Sequence, residues 1–275
     1  MSWWGKLIGG SFGFVLGGPL GALLGVALGH NFDRGLKQLD DDFSGHGRGA
    51  DPERVQLAFF TATFSVMGHV AKADGQVSRD EIDHAQAVMA SMQLNPDMRK
   101  TAINLFNAGK QGDFDLEAVM AQFRQEAGRR TNLYRMFMEI QIQAAYADGT
   151  MHDAERKVLV EVSELLGLPA FVFRQLEALV RASMGQEQAY GGGGGQRRAR
   201  ADSGGLTLNE AYSILGVTSS DSAADVKRAY RRMLSQHHPD KLVAKGLPEE
   251  MIKLANEKTA QLAKAYDLIK SAKGW

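Results

Sequence analysis

The sequence predicts an all-α fold: a single N-terminal transmembrane helix, a helical middle domain with an internal repeat, and a C-terminal helical hairpin. Three observations predict it. A long uncharged run occurs near the N-terminus, apolar residues recur at helical spacing through the rest of the chain, and glycine-containing polar stretches separate the three parts. Cysteine is absent and 32 basic residues balance 32 acidic ones, so the composition indicates neither disulfides nor a nucleic-acid partner.

The uncharged run is assigned to a transmembrane helix at residues 7–30, after a short N-terminus at residues 1–6. A bilayer span needs about 20 apolar residues, and no Asp, Glu, Lys or Arg occurs in this run. Trp3 and Trp4 precede it, where an interfacial aromatic anchor is expected. A cleavable signal peptide and a soluble glycine-rich loop are the alternatives. The first lacks its small-residue cleavage site, and the second is not normally so apolar.

Glycine recurs at every fourth position of this run. Residues four apart share one helix face, and a face without side chains lets a second backbone approach closely, which is how many helices pair in lipid. The pattern predicts a homodimer formed through the transmembrane helix, although glycine is also common in unpaired membrane helices. The glycines expected at the pairing face are Gly9, Gly13, Gly17, Gly21 and Gly25.

Two polar tethers divide the rest of the chain. Residues 31–54 contain an acidic run and several glycines, and residues 185–205 contain five consecutive glycines followed by a basic cluster. Both compositions are typical of flexible linkers. The tethers therefore delimit a helical middle domain at residues 55–184 and a C-terminal module at residues 206–275.

The middle domain contains an internal repeat. The segment "AKADGQVSRDEI" is similar to "AYADGTMHDAER" further along the chain. Each half is predicted to form a helix, an Asp-Gly turn, a second helix, a proline break and a third helix. Ser78 and Glu81 have the spacing of a capping box, which would begin the second helix of the first half.

A glutamate follows each Asp-Gly turn at the spacing found in the second half of an EF-hand calcium loop. The acidic residues expected earlier in such a loop are missing, so each turn alone supplies too few oxygen ligands for a cation. Ordinary turn chemistry is the simpler interpretation, and a metal site shared by Asp74 and Asp148 is the alternative. These repeats resemble the acidic turns of tellurite-resistance TerB-like helical domains, for which metal binding has been suggested.

No motif in the chain supports an enzyme or a bound cofactor. The HExxH, GxSxG and phosphate-loop patterns are absent. His69 and His84 lie in helical stretches without ligand partners at useful spacing. The sequence therefore indicates a binding or regulatory protein.

The C-terminal module has the most specific pattern. Over residues 226–234 apolar side chains recur at i, i+3, i+4, i+7 and i+8, and the opposite helix face is basic. Pro239 disfavours helical backbone at His238. The triplet His238-Pro239-Asp240 is therefore predicted in a loop that joins this helix to a last helix at about residues 248–271, as an antiparallel hairpin. The basic side chains are those of Lys227, Arg228, Arg231 and Arg232.

This module resembles the J-domain of the DnaJ co-chaperone family. The resemblance rests on "AYSILGV" at residues 211–217, "YRR" in the basic helix, the HPD triplet and "AYDLI" at residues 265–269. It implies that the basic face docks on a DnaK-type chaperone, and that the HPD residues relay the signal that makes this partner hydrolyse ATP. The loop after HPD is long, and the cysteine repeats and Gly/Phe-rich segment of full DnaJ proteins are absent.

The whole arrangement is similar to that of a membrane-anchored member of this family, with a span, a TerB-like middle, a Gly-rich linker and a terminal J-domain. We therefore expect a single-pass co-chaperone of the bacterial inner membrane. Because DnaK is cytosolic, the N-terminus is expected in the periplasm and the bulk of the chain in the cytoplasm. The alternative function is a membrane-bound metal sensor or signalling adaptor in which the acidic middle domain receives the signal and the J-domain is the output.

Overall fold

The computed structural model describes residues 17–28, 52–73, 94–146, 149–191, 206–248 and 252–275, and the single residues 75, 86 and 89. Within these ranges all regular secondary structure is helical, which confirms the predicted fold class. The helices are α1 Gly18–Leu28, α2 Pro52–Ala71, α3 Pro96–Gly109, α4 Leu116–Ala127, α5 Thr131–Ala145, α6 Asp153–Leu165, α7 Ala170–Gly191, α8 Leu208–Leu215, α9 Ala223–His237, α10 Pro239–Val243 and α11 Ile252–Lys273.

Helix α2 is the centre of the middle domain. It contacts α3, α4 and α5, and every residue from Leu57 to Gly68 is buried. The rings of Phe59, Phe123 and Phe137 meet in this core with centroids 5.1–6.2 Å apart. A helix that is apolar on all sides has to lie in the interior of a domain, and the surrounding helices cover α2 accordingly.

Helices α2 and α3 cross at two glycines. A Cβ atom added at Gly68 would lie 2.0 Å from the carbonyl oxygen of Phe106, and one added at Gly109 would lie 1.8 Å from that of Ser65. Only a hydrogen atom fits in these gaps, so the two backbones approach more closely than any side chain would permit.

The second half of the predicted repeat has the expected order. Helix α5 is followed by a turn at Gly149, by α6, by a break at Pro169 and by α7. Gly149 has a φ of 97°, a conformation that favours glycine. In the first half, α2 and α3 are the outer helices, and the turn residue Asp74 and the predicted capping pair Ser78 and Glu81 lie outside the described residues.

Helix α4 lies between the two halves and was not anticipated from the repeat. It begins at Asp115, whose side chain accepts a hydrogen bond of 2.9 Å from the backbone N–H of Ala118. It ends at Gly128, which has a φ of 60°. An aspartate at the N-cap and a glycine just after the last turn are ordinary helix boundaries.

Helix α1 is the described part of the predicted transmembrane segment, and it packs on the middle domain. Leu20, Leu24 and Ala27 are buried in the same hydrophobic cluster as the phenylalanines of α2. Gln122 accepts a hydrogen bond of 2.8 Å from the backbone N–H of Leu20, and Asn104 donates one of 2.7 Å to the carbonyl oxygen of Ala27. Side chains of α4 and α3 thus satisfy backbone groups at both ends of α1.

Helix α1 is shorter than a bilayer span. Its 11 residues extend over about 16 Å, roughly half of the hydrocarbon thickness of a bilayer. Within the described ranges the structure contains no helix that is both long and apolar enough to cross a membrane. Residues 7–16 and 29–30 of the predicted span lie outside those ranges, and so do Gly9 and Gly13.

The C-terminal module is a helical hairpin with a short helix across it. Helices α9 and α11 pack against each other, and α8 packs on α11. Their shared core is formed by Tyr212, Leu215, Val226, Met233, Leu262, Ala265 and Ile269. The helix before this module, α7, ends at Gly191, inside the segment 185–205 that was predicted as a linker.

Candidate functional site

The functional surface predicted from the sequence is presented by α9. Its apolar stripe is buried as expected, with Val226, Ala229 and Met233 at most 4% exposed. Tyr230 stacks on Tyr266 of α11 with ring centroids 4.5 Å apart and an interplanar angle of 13°. These contacts fix the rotation of α9 about its own axis and so determine which face remains at the surface.

The basic side chains predicted to form a docking face are all exposed. They are Lys227, Arg228, Arg231 and Arg232. Arg228 makes one ion pair, 3.1 Å from Asp225 at the start of the helix, and both side chains are well exposed to solvent. A surface pair of this kind contributes at most about 1 kcal/mol and does not cover the face, so the positive charge remains available to a partner.

The chain reverses direction at His238. Helix α9 ends at His237, and His238 has a φ of −62° and a ψ of 123°, the extended backbone expected for a residue that precedes proline. The backbone N–H groups of Lys241 and Leu242 donate to the carbonyl oxygen of His238 at 3.1 Å each.

The predicted loop at the HPD triplet is shorter than expected. Pro239 and Asp240 begin the five-residue helix α10, and only His238 is non-helical. Proline suits the first position of a helix because its φ is already helical and its missing N–H would have no helical acceptor there. The triplet is therefore a one-residue corner followed by a helical turn, which is a more rigid frame than a loop.

The polar side chains of the triplet point to the surface. The side chain of Asp240 is 89% exposed and that of His238 is 45% exposed. Their closest approach is 3.9 Å, between Nδ1 of His238 and Oδ2 of Asp240. This Nδ1 atom is itself buried and makes no hydrogen bond with the described residues. The exposed remainder of the imidazole ring and the carboxylate of Asp240 are therefore the groups available to a second molecule.

His237, which sequence reasoning did not single out, has the opposite environment. Its side chain is 2% exposed, and its Nε2 lies 3.5 Å from Oε1 of Glu139 on α5. Burial lowers the pKa of His237, and this effect is larger than the opposing effect of the nearby Glu139, which raises the pKa. The positive charges of Lys258 and Arg135 lower the pKa further. Its spacing of four residues from Met233 places His237 on the apolar stripe, and this was the signal that it would be buried.

The proposed metal site of the middle domain gains no support from the described residues. Asp74 and Asp148 lie outside them. Glu155, the glutamate of the second turn, is 3% exposed and accepts a hydrogen bond of 2.8 Å from the backbone N–H of His152 at the start of α6. In the described ranges no group of three or more His, Cys, Asp or Glu side chains is arranged to hold a metal ion. His69 packs on the ring of Phe114.

Three family models match this chain. They are the tellurite resistance protein TerB at residues 60–178, the DnaJ domain at residues 210–273, and the transmembrane domain of the co-chaperone DjlA at residues 1–39. The matches confirm the predicted TerB-like middle domain, the J-domain and a transmembrane domain at the N-terminus. No solved structure matches the chain.

Relatives described as co-chaperone protein DjlA match over the full length. The chain is 45% identical to the one from Photobacterium profundum, with 99% of each chain covered. It is 43% identical to that of Vibrio cholerae, with 100% and 99% covered, and 42% identical to that of Coxiella burnetii, with 99% of each covered. The same order of three parts is therefore shared from end to end.

Proposed function

This chain belongs to the DjlA family of membrane-anchored co-chaperones, and we propose that its J-domain recruits a DnaK-type chaperone and stimulates the ATPase of that chaperone. The observation that carries the proposal is the surface at the end of α9. An uncovered basic face leads directly to the exposed side chains of His238 and Asp240. Neither feature is needed by the fold of the J-domain, whose core lies on the other side of α9.

The two features have different tasks in the proposed mechanism. The positive face attracts an acidic surface of the chaperone and accelerates encounter, which is what exposed charges of one sign do well. His238 and Asp240 then make the specific hydrogen bonds of the complex, held by the rigid corner at Pro239. The J-domain itself performs no chemistry, because the ATP is bound and hydrolysed by the partner.

We further propose a single-pass arrangement in the bacterial inner membrane, with the N-terminus in the periplasm and the J-domain in the cytoplasm, where a DnaK-type chaperone is found. The transmembrane helices of two copies would pair through the glycine face at Gly25, because Gly17 precedes α1 and Gly21 is buried. A Cβ atom added at Gly25 would meet no described atom within 4 Å, so packing against the described residues gives no reason for glycine at this position. A second helix would supply that reason.

The test replaces His238 by glutamine in the full chain, reconstituted in lipid. Because the side chain is half-exposed, the change should alter the free energy of unfolding by no more than about 0.5 kcal/mol. We expect stimulation of the partner to be abolished. Single-turnover ATP hydrolysis by a DnaK-type chaperone measures the stimulation, and circular dichroism measures the fold.

The matched control is His152→Gln, the same chemical change at an exposed position of the TerB domain. It should leave the stimulation unchanged. Full activity of the His238→Gln variant would show that the proposed function is wrong.

A further inference from the structure

The segment that follows the HPD triplet packs on the TerB domain. Leu242, Leu247 and Ala255 are all 0% exposed, and they belong to the hydrophobic cluster of the TerB domain, not to that of the J-domain. At Gly246, which has a φ of 97°, an added Cβ atom would lie 2.6 Å from a methyl group of Val55 on α2. The long loop noted in the sequence is thus a docking element between the two domains.

A buried polar contact lies beside this apolar one. His237 and Glu139 approach to 3.5 Å with almost no solvent exposure. Among the described residues, neither Nε2 of His237 nor either carboxylate oxygen of Glu139 has a hydrogen-bond partner. Arg135, one turn earlier on α5, has an unpaired Nη1, and Lys258 of α11 is 4% exposed. A buried carboxylate is expensive unless charges and donors surround it closely, so this cluster is sensitive to the relative position of the two domains.

A second contact lies on the other side of the J-domain. Leu179 of α7 belongs to the J-domain core, and Gln175 donates a hydrogen bond of 3.3 Å to the carbonyl oxygen of Ile214. With a single contact the J-domain could still rotate relative to the TerB domain, whereas two separate contacts fix its orientation. The described residues therefore hold the J-domain in one position on the TerB domain.

The docking contacts flank the HPD triplet directly. His237 precedes it, and Leu242 follows it on the same short helix α10. Both flanking side chains are fixed by the TerB domain, while His238, Asp240 and the basic face remain accessible. The contact does not block the proposed chaperone-binding surface; it fixes the backbone on which that surface is built.

We propose that the TerB domain is a platform for the HPD triplet, with Glu139 as a positioning residue and Leu247 as the apolar anchor of the docked J-domain. The effect on the chaperone rests on the proposed function; the docking itself does not. When docking is lost, the basic face still captures the partner, but the triplet is no longer held for the signal. The maximal stimulation should then fall while the half-saturating concentration of the partner stays the same.

The first experiment measures docking without activity. Because the chain has no cysteine, two spin labels can be placed on cysteines substituted for the exposed Glu161 and Lys264 of the full-length protein. The labelled protein is diluted with an excess of unlabelled protein in lipid nanodiscs, so that only distances within one chain contribute. Pulsed electron paramagnetic resonance should give one narrow distance distribution. Leu247→Asp should broaden it, because the substitution places a charge in the TerB cluster and leaves the J-domain core intact. Ala244→Asp, at an exposed position of the same loop, is the matched control and should not broaden it.

The second experiment measures stimulation of a DnaK-type chaperone by the same proteins. Leu247→Asp and Glu139→Ala should lower the maximal stimulation by about fivefold or more, the lower end of ordinary coupling between sites. Glu139→Gln, which keeps the shape of the side chain, should retain both the narrow distance and the stimulation of the parent protein. His238→Gln should abolish stimulation and leave the narrow distance unchanged.

The outcomes separate the two proposals. A broad distance distribution in the unsubstituted protein would contradict the proposal that the TerB domain is a platform. Narrow distributions in both Leu247→Asp and Glu139→Ala would contradict it as well. So would an undocked variant that stimulates the chaperone as well as the parent protein does. If the parent protein fails to stimulate any DnaK-type chaperone but shows the narrow distance, the proposed function fails and the docking stands.

Discussion

His237 and His238 are neighbours in the chain, and the packing around them gives them different properties. The side chain of His238 is half-exposed at the surface, whereas that of His237 is enclosed by Glu139 and Arg135 of α5 and Lys258 of α11. A histidine whose charged form is disfavoured by burial makes the folded state sensitive to acid. The different environments follow from position: His237 is the last residue on the apolar stripe of α9, whereas His238 lies at the corner after the helix.

We expect acid to destabilise the docked structure through His237. Burial lowers its pKa below the ordinary value of 6.5, so below about pH 6.5 the unfolded chain binds a proton that the folded chain does not. The stabilisation is complete above that pH and is lost as the pH falls toward the folded pKa, by at most about 1.4 kcal/mol per pH unit. Urea unfolding of the parent protein and of His237→Gln at pH 7.5 and 5.5 measures this. Equal losses for the two proteins on acidification would contradict it.

A second prediction at this scale concerns the glycine crossing. In Gly109→Ala the new methyl group would overlap the carbonyl oxygen of Ser65, a backbone atom that cannot move unless α2 and α3 separate. We expect a loss of about 2–4 kcal/mol in the free energy of unfolding, measured by denaturant titration. Gly112→Ala is the control, because nothing lies within 4 Å of its Cβ position. Similar stabilities for the two variants would show that the helices do not cross so closely.

At the scale of the element, α9 separates structural residues from functional ones on two faces of a single helix. Its N-terminus is defined by Ser222, which accepts a hydrogen bond of 3.2 Å from the backbone N–H of Asp225, and its C-terminus by the residue before Pro239. Adjacent positive charges on the outer face disfavour the helix by a few tenths of a kcal/mol per pair. The fold tolerates this because the apolar stripe is well buried.

The charged face of α9 predicts that binding to the chaperone depends on salt concentration. Arg231→Glu and Arg232→Glu should each weaken binding to a DnaK-type chaperone, so that the half-saturating concentration of the chaperone rises about tenfold at low salt. The difference from the parent protein should shrink as salt is added, because the Debye length is about 10 Å at 0.1 M. Lys270→Glu, the same change at an exposed position of α11, is the control. A weakening that does not depend on salt would indicate disrupted folding in place of lost attraction.

At the scale of the whole molecule, α1 is a helix with two apolar faces. Leu20 and Leu24 are buried on the TerB domain, while Val26 is 75% exposed and no described atom lies within 4 Å of a Cβ atom added at Gly25. Such a helix has apolar surface left over after it has packed on its own chain. In a member of a membrane-anchored family, lipid or a second copy is the natural contact for that surface.

The glycine face predicts how the anchors associate. Gly25→Leu should reduce self-association in membranes, since the larger side chain keeps a second backbone away. It should leave the fold of one chain intact, because the position is open. Val26→Leu, a change on a different part of the helix surface, should have little effect. A transmembrane dimerisation reporter that reads the same for both variants would refute pairing through this face.

Most of the fold could be predicted because its signals are local. Helical spacing, the Asp-Gly turns, the proline breaks and the HPD triplet are each complete within a few residues, and the structure confirms the helices that they predict where those residues are described. The basic face of α9 was predictable for the same reason. Helix α4 was not predicted because it lies between the two repeats and has no counterpart in either.

The sequence by itself determined which parts exist, which face of each helix is apolar, and where the HPD triplet stands. Periodicity shows that a face is covered but does not show what covers it, because the covering residues are distant in the chain. Only the tertiary structure placed His237 against Glu139, seated Leu247 in the core of the other domain, and packed α1 on α3 and α4. Each of these contacts depends on how whole helices cross, which no short stretch of sequence encodes.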